Sequence, residues 1–125
     1  MSVTRGLESD VLLRLRQEGG AALVAALAAL LARTAPARLA QISHGVANDD
    51  RAGVVRAAHS LASSSANLGA VDLAEAAKSM ELLAESVPRW DDVAARDATA
   101  AAIAQSWSDV ADSVRRLAAT HIEDV

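Results

Sequence analysis

Apolar residues recur along this chain at helical spacing, in steps of three and four rather than two. Val54, Ala58, Leu61, Ser65 and Leu68 form one mostly apolar stripe, and Ile103, Trp107, Val110, Val114 and Leu117 form another. A first helix is predicted over Ser9–Glu18, capped by Ser9 or Asp10, with Val11, Leu12 and Leu15 inward and Gly19-Gly20 as its stop. A second begins near Ala21 and carries Leu23, Val24, Leu27, Leu30 and Leu31. Pro36 either starts a new helix or kinks one long helix that continues through Leu39, Ile42 and Val46 and ends near Ala47. The acidic turn Asn48-Asp49-Asp50 caps a helix over about Asp50 to Leu68, which Gly69 terminates. The next, roughly Ala70 to Val87, buries Leu73, Ala76 or Ala77, Met80, Leu83 and Val87, and Pro88 ends it. Trp90-Asp91-Asp92 turns into the last helix, whose first-turn acids suit the helix dipole. Short connections favour antiparallel neighbours. The pattern predicts an all-α, antiparallel four-helix bundle with a short extra N-terminal helix.

Composition narrows this further. The chain has 125 residues, enough for a single core, and no internal repeat or linker divides it. One domain over 1–125 is expected, with its core at about 8–118 and flexible ends at 1–7 and 120–125. About a quarter of the residues are alanine, with two tryptophans, two prolines and no Phe or Tyr, which suits closely packed helices. The chain has no cysteine, which removes disulfides, thiolate metal sites and cysteine nucleophiles and fits a cytoplasmic location. Net charge is −4 with acids and bases interspersed, which argues against nucleic acid as the main partner. The most apolar run, Ala21 to Ala32, is shorter than the roughly 20 residues of a membrane span, and Met1 to Gly6 lacks a signal-peptide pattern. No membrane association is expected.

Three histidines could bear chemistry. His44 and His121 read as surface residues, and no pair has metal-ligand spacing. His59 lies off the apolar stripe of its helix, with the small residues Ala62, Ser63 and Ala66 on the following turn. Imidazole changes charge near neutrality, so its neutral form offers a ring nitrogen as a nucleophile. Small neighbours leave that nitrogen open to approach by a reaction partner. Ser63-Ser64-Ser65 beside His59 cannot form a hydrolase triad, because one helix cannot supply nucleophile, base and oxyanion hole together. No glycine-rich phosphate loop or kinase motif is present, so an ATP-using enzyme is not expected.

The run from Ala58 to Ala70 resembles the phosphoacceptor helix of histidine-containing phosphotransfer (HPt) domains, whose pattern is Ala-His-x-Leu-Lys-Gly-Ser-(Ser/Ala)-x-x-(Leu/Val)-Gly-Ala. Ala58, His59, Leu61, Ser64, Ser65, Leu68, Gly69 and Ala70 match in register. Ala62 stands where lysine is usual, and Ser63 where glycine is common. Leu73, Ala77, Met80 and Glu81 look like the family's following helix, and the likeness covers about residues 8 to 118. It favours one long kinked helix through Pro36.

The resemblance implies a phosphocarrier rather than an enzyme. His59 would take a phosphoryl group on Nε2 from the aspartyl phosphate of one response-regulator receiver domain and pass it to another. The receivers would supply Mg²⁺, the chain itself would need no cofactor, and a hybrid histidine kinase would stand upstream. Arg56, one turn before His59, and Lys78 are candidates to replace the missing lysine. Antiparallel pairing across Gly69 sets Lys78 to Leu82 roughly opposite His59. Ala62, Ser63, Ser64 and Ala66 are candidates for phosphate contact or receiver docking, whereas Ser65 is expected to bond back to a helix carbonyl. Glu81 reads equally well as a site neighbour or a surface acid. The starting methionine favours a free-standing chain, and a monomer is expected. The alternative is an adaptor that binds receivers on the same surface without phosphorylation. A purely structural bundle is a third reading.

Overall fold

The computed structural model describes residues 5–123, with side chains through 120. Among the described residues the helical elements are α1 (Ser9–Ala47), α2 (Arg51–Asn67), α3 (Val71–Glu85), the single turn α4 (Val87–Trp90) and α5 (Val93–Glu123). α1 packs against α2 and α5, α2 against α3, and α3 against α5, which closes a ring of four long helices. Among the described residues there is no strand. Of the ends expected to be flexible, residues 1–4 and 124–125 lie outside the described ones. Leu7 is buried, and the Arg5 carbonyl accepts a hydrogen bond from Ser113 Oγ at 2.6 Å.

α1 breaks where the two glycines stand. Gly20 has φ 70° and ψ −169°, a conformation that side chains forbid, so the first ten or so residues form the extra N-terminal helix. Beyond it the helix runs on with Pro36 inside, as one long element. α1 therefore contains an 18-residue window of mean hydropathy 1.6, long and apolar enough to cross a membrane by length and composition alone. The core helix of a bundle passes the same test. About 28% of the window is buried, the share expected of one inward stripe at heptad-like spacing. Leu12, Leu15, Val24, Leu31 and Ile42 lie in the core.

The predicted stripes are the buried ones. Val54, Ala58, Leu61, Ser65 and Leu68 are fully buried, and the whole α5 seam from Ile103 to Leu117 is buried. Leu73, Ala77, Met80 and Leu83 supply α3's share, while Ala76 is only half-buried. Two expected core residues face out: Leu30 is 42% exposed and Val87 is 53% exposed. Val87 leaves the core because α3 ends at Glu85 and Ser86 is extended, so Val87 starts a separate turn. Pro88 sits in the first turn of α4, where its missing N–H is harmless; it opens a helix rather than closing one. The acids expected in the first turn of the last helix precede it instead. Asp92 accepts a hydrogen bond from Ala95 N at 3.1 Å and acts as the cap.

The two ends of α2 determine how His59 is presented. Asp50 caps its start, accepting from Gly53 N at 3.0 Å. At its end, Gly69 N bonds Ala66 O and Ala70 N bonds Ser65 O, the paired bonds of a Schellman cap. Gly69 has φ +80°, and its carbonyl accepts from Glu8 N at 2.8 Å. A Cβ there would come within 3.0–3.3 Å of Val11 and Glu8, so glycine is needed both for the turn and for the packing of the N-terminal segment. Near the opposite end of the bundle, Trp90 is buried, donates from Nε1 to Asp49 Oδ1 and lies beneath the Arg96 guanidinium at 4.7 Å.

Candidate functional site

His59 leaves α2 on the side away from its buried stripe, and its side chain is 66% exposed. Across the α2–α3 pair, Glu81 comes up beneath it. Glu81 Oε2 lies 2.9 Å from His59 Nδ1, while Oε1 lies 3.2 Å from Lys78 Nζ. Burial pushes the Glu81 carboxyl pKa up, but the hydrogen bonds and charge contributed by Lys78 and His59 outweigh that and hold it below its ordinary value. An ionised carboxylate only accepts, so the proton of this bond belongs to His59 Nδ1. The neutral ring then has its lone pair on Nε2. That nitrogen is the one the Glu81 contact leaves free to react.

A shallow depression of about 340 Å³ surrounds the ring, lined by Ala62, Ser63 and Ala66 of α2 and by Ala74, Glu75, Lys78 and Glu81 of α3. Helical geometry brings the α2 members together, since Ala62, Ser63 and Ala66 follow His59 at steps of three, four and seven. Small side chains keep the floor low, and Glu75 and Lys78 give it a charged rim. Four of the residues singled out in the sequence, Ala62, Ser63, Ala66 and Lys78, thus meet at His59. Two do not. Arg56 lines a separate groove between α1 and α2, and Ser64 lines neither recess. Ser65 also departs from expectation: its Oγ is buried without a hydrogen-bond partner instead of bonding a helix carbonyl. His44 lines the second groove, and the His121 side chain lies outside the described ones. Among the described residues, no group of three or more His, Asp and Glu side chains could hold a metal ion.

Glu81 is the residue that sequence reasoning undervalued. The signal was available in the register across the Gly69 turn, which already set Lys78 to Leu82 opposite His59. Spacing alone could not show which of those five turns inward.

A sequence model of the Hpt domain matches residues 26–120, about three quarters of the chain and all of α2 and α3. The chain belongs to the Hpt domain family. The match begins beyond Gly20, so the N-terminal helix of this Hpt protein lies outside it. No curated protein and no solved structure matches. Membership gives the coarse function: phosphotransfer in two-component signalling, by a phosphocarrier that interacts with response-regulator receiver domains.

Proposed function

We propose that His59 is the phosphoacceptor and that this chain relays a phosphoryl group between receiver domains. The observation that supports this best is the Glu81–His59 hydrogen bond, which holds the Nδ1 proton and leaves Nε2 as an exposed nucleophile in a depression of small residues. In the accepting step, Nε2 attacks the phosphorus of a receiver's aspartyl phosphate in line with the P–O bond. The P–N bond forms as the P–O bond breaks, and the aspartate leaves as a carboxylate. The ring becomes a phosphoimidazolium whose Nδ1–H still faces the Glu81 carboxylate, so charge appearing on the ring meets a fixed negative partner. Lys78 holds the other Glu81 oxygen and lies on the rim where phosphate oxygens would arrive. It replaces in part the lysine that Ala62 lacks. Ser63 offers a hydroxyl on the same rim. Reversal of the step delivers the group to the second receiver.

Mg²⁺ belongs to the receivers in this scheme, and the chain needs no cofactor of its own. The upstream donor is a hybrid histidine kinase, the carrier is a monomer, and it works in the cytoplasm with its receivers. The test is transfer from a panel of phosphorylated receivers with Mg²⁺, comparing wild type with His59→Gln. Acid-labile label on the wild type alone is the expected result. Binding of several receivers without label on the wild type would instead support a phosphorylation-independent adaptor, the reading that Ala62 at the lysine position favours.

A further inference from the structure

A second recess, larger than the one at His59, lies between the second half of α1 and the start of α2. It is a half-open groove of about 620 Å³, within the range of small-molecule sites. Arg38, Gln41 and His44 line it from α1 at helical spacing, and Arg56 and Ser60 line it from α2. Its hydrogen-bonding character is one-sided. Arg38 Nη1 donates to Gln41 Oε1 at 3.0 Å, which takes one of the two lone pairs of the glutamine's oxygen and orients its amide nitrogen as a donor. Asn48 Nδ2 lies 2.8 Å from the His44 carbonyl, which fixes it as the amide nitrogen, and 3.3 Å from His44 Nδ1. His44 Nδ1 is therefore the acceptor of that contact, and the ring N–H is on Nε2. The single carboxylate on the wall, Asp50, already accepts from Gly53 N through Oδ1. Two guanidiniums, an imidazole N–H, a primary amide and a hydroxyl thus face one carboxylate that is partly engaged. On a chain of net charge −4, this is a local concentration of donors and positive charge.

We infer that this groove binds a small phosphorylated anion, with Arg38 and Arg56 as its two charged arms. Guanidinium groups match phosphate oxygens with paired N–H donors. The Asp50 carboxylate packs against Gly53 and takes its N–H, so the ligand's oxygens are held by the side chains of the groove rather than by the α2 backbone. The site is distinct from His59: the two recesses share no residue, and binding here requires neither Nε2 nor Glu81.

The experiment is a titration of the full chain with inorganic pyrophosphate, followed by amide and side-chain NMR shifts at constant ionic strength, with acetate as the control anion. Saturable shifts centred on Arg38, Gln41, His44, Arg56 and Ser60, absent with acetate, are expected. The Arg38→Gln/Arg56→Gln double variant weakens binding at least about tenfold, whereas Arg115→Gln/Arg116→Gln on α5 leaves it unchanged. Shifts that do not saturate, that centre on His59 and Lys78, or that are equal in the double variant would overturn the assignment. The wild-type shift map decides the matter even if the double variant folds poorly.

Discussion

Removing the carboxylate beneath His59 tests how the site prepares its nucleophile. In Glu81→Ala the ring loses the partner that holds its Nδ1 proton, and the proton becomes free to occupy Nε2, where it blocks attack. A hydrogen bond to a charged group contributes about 1.5–3 kcal/mol. His59 and Lys78 are 66% and 56% exposed, so solvent screens this pair and the lower end applies. With about 1.4 kcal/mol per tenfold in rate, Glu81→Ala slows phosphoryl transfer about tenfold. Glu81→Gln keeps an acceptor for Nδ1–H while removing the charge, and slows it about threefold or less. Single-turnover transfer from a phosphorylated receiver gives the rates, and ¹⁵N NMR of the imidazole gives the tautomer. Wild type shows the proton on Nδ1, and Glu81→Ala shifts it toward Nε2. A Glu81→Ala protein that folds normally, transfers at the wild-type rate and keeps the same tautomer would refute the reasoning. Acid titration supplies a second check on the same residue. Because Glu81 is held below its ordinary value in the fold, it stabilises the folded chain at pH above the unfolded value, near 4.3. That contribution disappears as pH falls through the lower folded value. The stability gap between wild type and Glu81→Gln therefore narrows only in strongly acidic solution.

Three further substitutions probe the faces of α2. Leu61→Ala removes a fully buried side chain from the bundle and costs about 2–5 kcal/mol by denaturant unfolding; an unchanged curve would mean the faces are reversed. Ser65→Ala removes a buried hydroxyl without a partner and stabilises the chain by about 1 kcal/mol in the same assay, with a loss of stability counting against the unsatisfied geometry. Ser63→Gln places a long side chain on the depression beside His59 and impairs receiver transfer while leaving thermal unfolding unchanged; retained transfer would contradict the docking geometry.

The apolar stripes made the fold readable in advance because each is local: the period along one helix determines which side faces in, as Val54 through Leu68 and Ile103 through Leu117 show. The caps at Asp50 and Gly69 were legible for the same reason, since a cap depends on its own residue and the next few. What escaped depended on contacts distant in sequence. Trp90 looked like a turn residue, yet it is buried because Asp49 and Arg96 meet it from other elements. Val87 looked like core until the extended backbone at Ser86 detached it from α3. Leu30 satisfied the helical period but lies outside the buried stripe of α1, 42% exposed. At the site, His59 and its small neighbours lie on one helix and were found together, whereas Glu81 lies 22 positions away and needed the lateral register of α3. Arg56 illustrates the opposite error. One turn from His59 in sequence, it rotates far enough around α2 to line a different groove.

The most direct measurement is phosphorus–proton correlation NMR of the chain after phosphorylation by a receiver, held at alkaline pH where phosphohistidine persists. Phosphorylation of His59 gives one phosphorus resonance, coupled to its imidazole protons in the pattern of an Nε2 adduct. Phosphate on Nδ1, on another histidine or on a serine of Ser63-Ser64-Ser65 would contradict the assignment to His59 Nε2.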